Sequence, residues 1–242
     1  MPENRTVQKG VLYLIPSSLG GDDVDDIIPR RNKALLNQLD EFIVENLRTA
    51  RRFMRSAGFT NSFDQVNFHL LNKHTSATEL GGFLEQALKG KNIGLLSEAG
   101  CPCIADPGQG VVRQAHLLGI RVVPLVGPSS ILLALMASGF NGQSFTFHGY
   151  LPIQPPDRAK AIRELEKQAS LKNQTQIFME TPFRNDQMME AIVGNCRPET
   201  LLCVACDLTK KEEFIKTLPV GAWKKQMPVL HKRTSIFLLF HP

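Results

Sequence analysis

A loop of small residues follows an apolar segment near the middle of the chain, and its composition suits ligand binding by the backbone. The loop covers residues 97–110 and reads SEAGCPCIADPGQG. Glycine lets the backbone approach a ligand closely, because it has no Cβ and adopts φ values that other residues avoid. Carboxylates could accept a proton beside such a loop, and arginines could pair with a phosphate or a carboxylate.

Two strands and a helix must position this loop. Residues 93–96 predict a short apolar strand, Gly119 closes the helix after the loop, and residues 120–123 predict a second strand. A Gly-Pro-Ser-Ser turn, residues 127–130, then opens the next helix. This βαβ pattern predicts parallel strands that are buried on both faces. Both loops should therefore leave the carboxyl edge of one sheet, where open α/β sheets bind their ligands.

Three motifs along the chain carry a resemblance to a known family: LLSEAGCPCIADPG, IRVVPLVGPSS and FHGYLP. In order and spacing they resemble the signature of the tetrapyrrole-methylase superfamily of S-adenosylmethionine (SAM) dependent methyltransferases. The nearest branch is that of the ribosomal RNA enzymes, which 2′-O-methylate a cytidine of the small-subunit RNA. That branch typically reads SDAGTPLISDPG, then PGPSA, then GFLP. The resemblance implies two α/β domains of the tetrapyrrole-methylase type, with SAM bound in the cleft between them, and a homodimer.

The resemblance also implies which residues bind SAM. Small or apolar residues at strand ends and in the loops match the family's cofactor contacts: Pro16, Ala99, Gly100, Cys101, Ile104, Ser129, Ser130, Met179, Ala205, Cys206, Thr234 and Ser235. Each has a plainer explanation, since a glycine can shape a turn, a serine can cap a helix and a methionine can fill a core. Their joint occurrence in family order favours the cofactor site.

For the substrate side, the resemblance makes Glu45, Arg48 and Glu98 the candidate catalytic residues. A ribose hydroxyl is a poor nucleophile, so a carboxylate within hydrogen-bond reach would help to remove its proton. Glu180 and Arg184 are candidate substrate residues, although a pair at this i, i+4 spacing is also a common structural link.

Three departures from the branch bear on the substrate side: Asn46 and Leu47 replace the Asp and Thr of AEDTR, and Phe183 replaces a histidine. RNA of the small ribosomal subunit is the leading substrate. The first alternative is a tetrapyrrole or other small molecule, which an ending directly after the last strand favours. The second is a SAM-binding regulatory module without catalysis, which the three departures favour.

Charge is compatible with a polyanionic partner without requiring one. The 242 residues include 28 Lys plus Arg against 23 Asp plus Glu, a net charge of +5. The basic excess is concentrated in RTARRFMR, where Arg48, Arg51, Arg52 and Arg55 fall within two helical turns. The pattern predicts either a solvated helix face or a contact with RNA phosphates.

Metal binding is a minor alternative at two places. Cys101, Cys103, Cys203 and Cys206 have C-x-C and C-x-x-C spacing that could bind zinc. Each pair, however, lies at a predicted strand end with small neighbours, where cysteine commonly serves as a small buried apolar residue. The odd total of five predicts reduced thiols. An acidic run that includes Asp22, Asp23, Asp25 and Asp26 is better explained as the start of a helix than as a cation site. We expect no metal.

The chain should divide into an N-terminal α/β domain with a parallel sheet, residues 1–125, and a mixed α/β domain, residues 126–242. The first should include strands near residues 11–15, 42–44 and 68–71 and a continuous helix over residues 78–89. The second should contain hairpin-like strands. The apolar runs are too short to span a bilayer, and the first residues lack the core of a signal peptide, so we expect a cytoplasmic protein.

Overall fold

A computed structural model describes residues 8–20, 24–71, 75 and 77–241, and every statement below concerns those residues. Asp22 and Asp23 of the acidic run lie outside them. The chain divides into two compact units, Met1–Pro128 and Ser129–Pro242. The boundary lies three residues after the predicted one, because residues 126–128 pack within the first unit, where Asn32 Nδ2 donates to the Val126 carbonyl at 2.8 Å.

The first unit is built on five parallel strands. They are β1 Val11–Ile15, β2 Glu41–Val44, β3 Asn67–Leu70, β4 Ile93–Leu96 and β5 Arg121–Pro124. The order across the sheet is β3-β2-β4-β1-β5. All neighbouring pairs are parallel, so the five carboxyl ends share one edge of the sheet.

The helices of the first unit are α1 Val24–Ile27, α2 Arg30–Leu36, α3 Leu47–Ser56, α4 Ala77–Gly82, α5 Glu85–Leu88 and α6 Gln109–Leu117, with a 3-10 turn at Phe63–Gln65. The predicted continuous helix over residues 78–89 is wrong, because the chain forms α4 and α5 with a break at Phe83 and Leu84. Leu84 is fully buried there in the apolar cluster that also contains Ile93. Core packing of this leucine therefore outweighs helix continuity.

One prediction about the βαβ pattern is also wrong. β4 is buried along its whole length, but β5 is the edge strand and exposes Arg121 and Pro124. β1 lies between them, pairing with β4 on one side and β5 on the other. The crossover therefore skips one strand, which periodicity in a single sequence does not reveal.

The second unit is mixed, as the sequence predicted. Its strands are β6 Phe145–Tyr150, β7 Thr175–Glu180, β8 Leu201–Cys206, β9 Phe214–Pro219 and β10 Ser235–Phe240, and its helices are α7 Ser130–Ser138, α8 Pro155–Lys172, α9 Asn185–Asn195 and α10 Val220–Trp223. The order is β6-β7-β10-β8-β9, in which β6 and β7 are parallel and the other pairs are antiparallel. The predicted α/β fold class is confirmed.

Local chemistry sets the ends of several helices. The Ser129 hydroxyl caps α7, and Gly139 ends that helix with φ of +76°. Pro155 opens α8, where its fixed φ suits the first helical turn. In the core of the second unit, Phe178 and Phe237 stack with ring centroids 5.7 Å apart. No helix in the described part of the chain is both long and apolar enough to cross a bilayer.

The first turn of α3 depends on Asn46. Its side-chain oxygen accepts hydrogen bonds from the backbone N–H groups of Arg48 and Thr49 at 2.9 and 3.2 Å. Aspartate, which the resembled branch has at this position, offers the same acceptor. The departure from the branch motif therefore retains the helix cap.

We predict that Asn46→Ala lowers the free energy of unfolding by about 1 kcal/mol, because two backbone donors lose their acceptor. Asn46→Asp should be close to wild type, since an aspartate caps a helix N-terminus equally well. Urea denaturation followed by circular dichroism measures both. Equal stability of Asn46→Ala and wild type would contradict the capping role.

Candidate cofactor and substrate site

The loops after β1 and β4 are joined at the carboxyl edge of the first sheet. Ser17 N–H donates to the Gly100 carbonyl at 3.0 Å, and Gly100 N–H donates back to the Ser17 carbonyl at 3.2 Å. Gly100 has φ of +74°, a conformation that residues with a Cβ rarely adopt. The sequence-predicted glycine therefore has a defined task, which is to turn the β4 loop back onto the β1 loop.

The loop after β5 packs against the same place. A Cβ added to Gly127 would overlap the ring of Pro16, so the two backbones approach more closely than any side chain at position 127 would allow. Cys101 Sγ lies 3.4 Å from the carbonyl oxygen of Pro128. The structure thus brings together the predicted residues Pro16, Gly100 and Cys101.

A pair of serines lies beneath these loops. Ser17 and Ser97 are buried, their hydroxyl oxygens are 3.3 Å apart, and Ser97 Oγ donates to the Gly100 carbonyl. Sequence reasoning did not select Ser97 as a site residue. The signal was present, since a serine directly after a buried apolar strand must satisfy its hydroxyl locally.

The predicted contacts beyond Gly100 are more open. Ala99 is exposed, and the side chain of Ile104 is 51% exposed although it is large and apolar.

Of the three candidate catalytic residues, Glu98 has a defined partner. It is exposed at the start of the β4 loop, and its Oε1 accepts a hydrogen bond of 2.8 Å from Thr49 Oγ1 in α3. Glu45 is half-buried at the carboxyl end of β2, and Arg48 is exposed in the first turn of α3. All three follow strands of the first sheet at its carboxyl edge.

Asp106 is a carboxylate that sequence reasoning did not select. It is half-buried in the β4 loop, and its Oδ2 is buried with no hydrogen-bond partner among the described residues. Burial, together with the negative charge of Glu98, raises the pKa of Asp106 to about 6. The loop around it holds Cys103 and Ala105 at φ of +68° and +61°. A carboxylate that titrates near neutrality can exchange a proton with a substrate.

Ser129 and Ser130 begin α7 in the second unit. Ser129 Oγ accepts from the Leu132 N–H at 3.5 Å, so this hydroxyl is the helix cap, and Ser130 is the first helical residue. Both are half-buried. The plainer explanation for Ser129 is therefore correct, and it is compatible with a ligand at the helix N-terminus, where backbone N–H groups are free.

Strand register brings the remaining cofactor candidates of the second unit to one edge. Ser235 at the start of β10 is opposite Glu180 at the end of β7 and Cys206 at the end of β8. Met179 and Ala205 lie one position further in, both opposite Ile236. Because the side chains of Ala205 and Cys206 are buried in the sheet, only their backbone atoms are placed to contact a ligand.

Ser235 is held in a buried polar group. Its hydroxyl accepts from Asn185 Nδ2 at 3.1 Å and lies 3.2 Å from Cys206 Sγ. Thr234 beside it is exposed, and its hydroxyl donates to Asp207 at 3.1 Å. Asn185 and Asp207 were not selected from the sequence.

Glu180 and Arg184, the candidate substrate residues, form an ion pair. Arg184 donates to Glu180 Oε1 through Nε at 3.0 Å and Nη2 at 2.6 Å. Glu180 and Arg184 therefore do form the structural link that their i, i+4 spacing allows, but this ion pair uses only one carboxylate oxygen of Glu180. Glu180 Oε2 is buried and, among the described residues, has no hydrogen-bond partner. A ligand with an N–H donor would satisfy this buried carboxylate oxygen.

Asp207 organises the turn next to this edge. Burial alone would raise its pKa, but hydrogen bonds from Arg233, Lys210 and Thr234 lower the pKa of Asp207 to about 2. Its backbone has φ of +48°. The charged network therefore fixes the segment that presents Thr234.

Cys196, Cys203 and Cys206 are buried as small core residues, whereas Cys101 and Cys103 are half-buried in the β4 loop. All five are free, as predicted. Burial raises the pKa of Cys103 to about 11, with a contribution from Asp106, and raises that of Cys203 to about 11. Zinc requires thiolates, which these values disfavour. Among the described residues, no group of three or more His, Cys, Asp or Glu side chains is arranged to hold a metal ion.

Both units are α/β, and in the first of them a loop of small residues lies at the carboxyl edge of a parallel sheet, as in ligand-binding α/β enzymes. A profile of the tetrapyrrole (corrin/porphyrin) methylases matches residues 18–222. The chain belongs to this family, which confirms the family predicted from its motifs.

Two curated relatives show a narrower likeness. The chain is 33% identical over 225 residues to the protein of Vibrio cholerae named ribosomal RNA small subunit methyltransferase I, a match that covers 91% of this chain and 73% of that one. It is 33% identical over 217 residues to the protein of the same name from Bacillus subtilis, covering 89% and 70%. Among solved structures, the methyltransferase CobJ superposes with a TM-score of 0.62 over 96% of this chain and 94% of its own. At 16% identity that superposition shows the fold alone.

The residues present fit SAM, which the family implies. Its methionine part carries an ammonium group, and its adenine carries an amino group, so the ligand brings donors. Asp106 Oδ2 in the first unit and Glu180 Oε2 in the second are buried acceptors without partners among the described residues. A Cβ at Gly100 would crowd Leu19 and the Pro128 carbonyl, so glycine at this position keeps the loops close together.

We predict that Asp106→Asn raises the melting temperature at about pH 7.5 and has a smaller effect at about pH 5. The folded-state pKa of about 6 exceeds the ordinary value of 3.8, so the wild type loses stability as pH rises through this interval. After allowance for solvent screening of a half-buried group, we expect a gain of about 1 kcal/mol, or about 2–4 °C.

Differential scanning calorimetry of wild type and variant at both pH values measures this difference. Asp26→Asn is the matched control, since Asp26 is an exposed aspartate of the same unit, and its effect should not change between the two conditions. If the effect of Asp106→Asn on the melting temperature is the same at both pH values, the pKa of Asp106 is not raised in the folded protein.

Proposed function

We propose that this chain transfers the methyl group of SAM to a ribose 2′-hydroxyl of small-subunit ribosomal RNA. The observation that carries the proposal is the joined set of β1, β4 and β5 loops around Gly100, which presents backbone and small side chains at the carboxyl edge of a parallel sheet. The names of the two relatives support the choice of RNA.

In this proposal the cofactor is held by two sets of residues, one at each sheet edge. In the first unit these are Pro16, Ala99, Gly100, Cys101 and Ile104. In the second unit they are Ser129, Ser130, Met179, Ala205, Cys206, Thr234 and Ser235, with Ala205 and Cys206 contributing backbone atoms. Glu180 and Arg184 would bind the substrate or a polar part of the cofactor.

Bound SAM supplies a methyl group already activated on a sulfonium, so alignment of the reactants contributes much of the rate, roughly 7–11 kcal/mol. Transfer to a ribose oxygen would break the carbon–sulfur bond, release S-adenosylhomocysteine and require a group of the protein to accept the hydroxyl proton. Glu98 is the proposed acceptor, because it is exposed and Thr49 orients one of its oxygens at 2.8 Å. Glu45 and Arg48 lie at the same edge and would position the RNA.

We infer that the protein acts in the cytoplasm, where ribosomal subunits are made, and as a homodimer, as the family resemblance implies. Leu132 and Met136 on α7 are 50% and 79% exposed, which supports an apolar contact between copies. Light scattering of the purified protein distinguishes a mass of 26.9 kDa from twice that value.

We predict that SAM and S-adenosylhomocysteine bind the wild-type protein with micromolar affinity and that Ile104→Arg weakens both at least tenfold. The substitution places a bulky cation at an exposed loop position without removing a buried group. Isothermal titration calorimetry measures the affinities. Leu117→Arg, at a 75% exposed apolar residue of α6, is the matched control and should bind SAM normally.

If neither ligand binds the wild type, the SAM proposal is overturned. If SAM binds and methyl transfer occurs only to a tetrapyrrole such as uroporphyrinogen III, the small-molecule alternative replaces the RNA proposal. Binding of SAM with no transfer to either substrate would favour a regulatory module.

We predict that Glu98→Gln lowers kcat for small subunits assembled from unmodified RNA by roughly 10²-fold or more, because the proton acceptor is lost. SAM affinity should be unchanged, and Glu98→Asp should retain part of the activity. Radiolabelled methyl transfer gives kcat, with Glu190→Gln, an exposed carboxylate on α9, as the control. A Glu98→Gln variant with wild-type kcat would exclude this role for Glu98.

A further inference from the structure

One face of α3 carries four arginines, and we call it the arginine face: Arg48, Arg51, Arg52 and Arg55. All four are exposed. At 100° per residue the four positions fall within an arc of about 100°, while Ala50 and Met54 are buried on the opposite side of the helix. The sequence of α3, LRTARRFMRS, contains no acidic residue, so nothing within the helix neutralises the face.

Two of the four side chains are held in place by aromatic rings. The Arg51 guanidinium lies 5.3 Å from the ring centroids of both Phe63 and Phe68. The Arg55 guanidinium lies 4.2 Å from the centroid of Phe63 and donates to the Phe59 carbonyl at 2.6 Å. Stacking fixes the planar groups while leaving most of their N–H donors available. The side-chain entropy that a ligand would otherwise have to overcome is therefore reduced.

The other two arginines have no carboxylate partner. Among the described residues, the guanidinium groups of Arg48 and Arg52 take part in no hydrogen bond or ion pair. Lys91 of the same unit, by contrast, pairs with Asp40 at 2.8 Å. The four arginines of α3 form no ion pair with a carboxylate of the described residues, so the arginine face presents positive charge that a polyanion could pair with.

The position of α3 connects this face to the candidate site. The helix begins directly after β2 at the carboxyl edge, and Thr49 in its first turn contacts Glu98 of the β4 loop. Arg48 to Arg55 spans about 10 Å along the helix at 1.5 Å per residue. The face therefore runs from the proposed proton acceptor outward, long enough to contact more than one phosphate.

We propose that the arginine face binds the phosphate backbone of the RNA substrate beside the nucleotide to be methylated. The inference rests on the proposed function and adds to it the surface that holds the RNA. Guanidinium groups suit phosphate because their fork of donors matches its oxygens.

The test compares Arg51→Gln/Arg52→Gln with wild type in two measurements. The first is fluorescence anisotropy with a short labelled single-stranded RNA over a range of salt concentrations. We expect roughly tenfold weaker binding and a slope of log affinity against log salt that is smaller by about 1.4, the value for two lost phosphate contacts. The second is methyl transfer to small subunits assembled from unmodified RNA, in which KM should rise and kcat should change little.

A matched control removes the same charge elsewhere. Lys160→Gln/Lys167→Gln neutralises two exposed lysines of α8 and should leave both the RNA affinity and its salt slope near wild type. Calorimetric SAM binding by the arginine variant should equal that of wild type, which shows that the unit has folded. Equal losses in the two double variants would indicate net charge alone and would overturn the proposal.

The outcomes separate this inference from the proposed function. If wild type methylates small subunits and the arginine variant has an unchanged KM and salt slope, the function stands and the arginine face is not the RNA surface. If wild type binds SAM but methylates only a small molecule, the proposed function fails and the inference with it. Loss of binding to anionic phospholipid vesicles, with RNA affinity unchanged, would assign the face to a membrane surface instead.

Discussion

The structure of the first unit depends on how closely three loops approach one another at the carboxyl edge of the sheet. Gly127 allows the β5 loop to pass over Pro16, and the paired hydrogen bonds between Ser17 and Gly100 fix the β1 loop to the β4 loop. A side chain at position 127 would force these backbones apart. The same approach presents backbone groups where a ligand can reach them, so one steric constraint both closes the fold and forms the candidate site.

The acidic groups near this edge illustrate how position sets chemical role. Glu98 and Asp106 belong to one loop, but Glu98 is exposed and oriented by Thr49, whereas Asp106 is half-buried and has a raised pKa. Two carboxylates with different environments can act differently at the same pH. In the second unit the pKa of Asp207 is lowered instead of raised, because three hydrogen-bond donors stabilise the charged carboxylate.

The departures from the resembled branch are less disruptive than the motif comparison indicates. Asn46 caps α3 with the same kind of oxygen that an aspartate would offer. Phe183 is exposed and lies beside His231, with ring centroids 6.1 Å apart, so an aromatic pair stands where the branch has a histidine. Neither change removes a buried partner from the neighbouring ion pair of Glu180 and Arg184.

The sequence by itself determined the family, the α/β class, the positions of β1 and β4, and the identity of the glycine loop. These follow from local composition and short-range pattern, in which neighbours along the chain carry the information. It also placed the start of α7, because the Gly-Pro-Ser-Ser turn is a local signal. The sequence did not predict the break between α4 and α5, because Leu84 at the break is buried by residues that are distant in the sequence.

Only the tertiary structure decided which strands are neighbours and which polar groups meet. The insertion of β1 between β4 and β5 leaves β5 at the edge, and the contact of Thr49 with Glu98 joins residues far apart in sequence. The raised pKa of Asp106 and the stacking of Arg51 on two phenylalanines likewise depend on burial and on non-local neighbours. Such contacts are fixed by chain topology and packing, and a single sequence records neither directly.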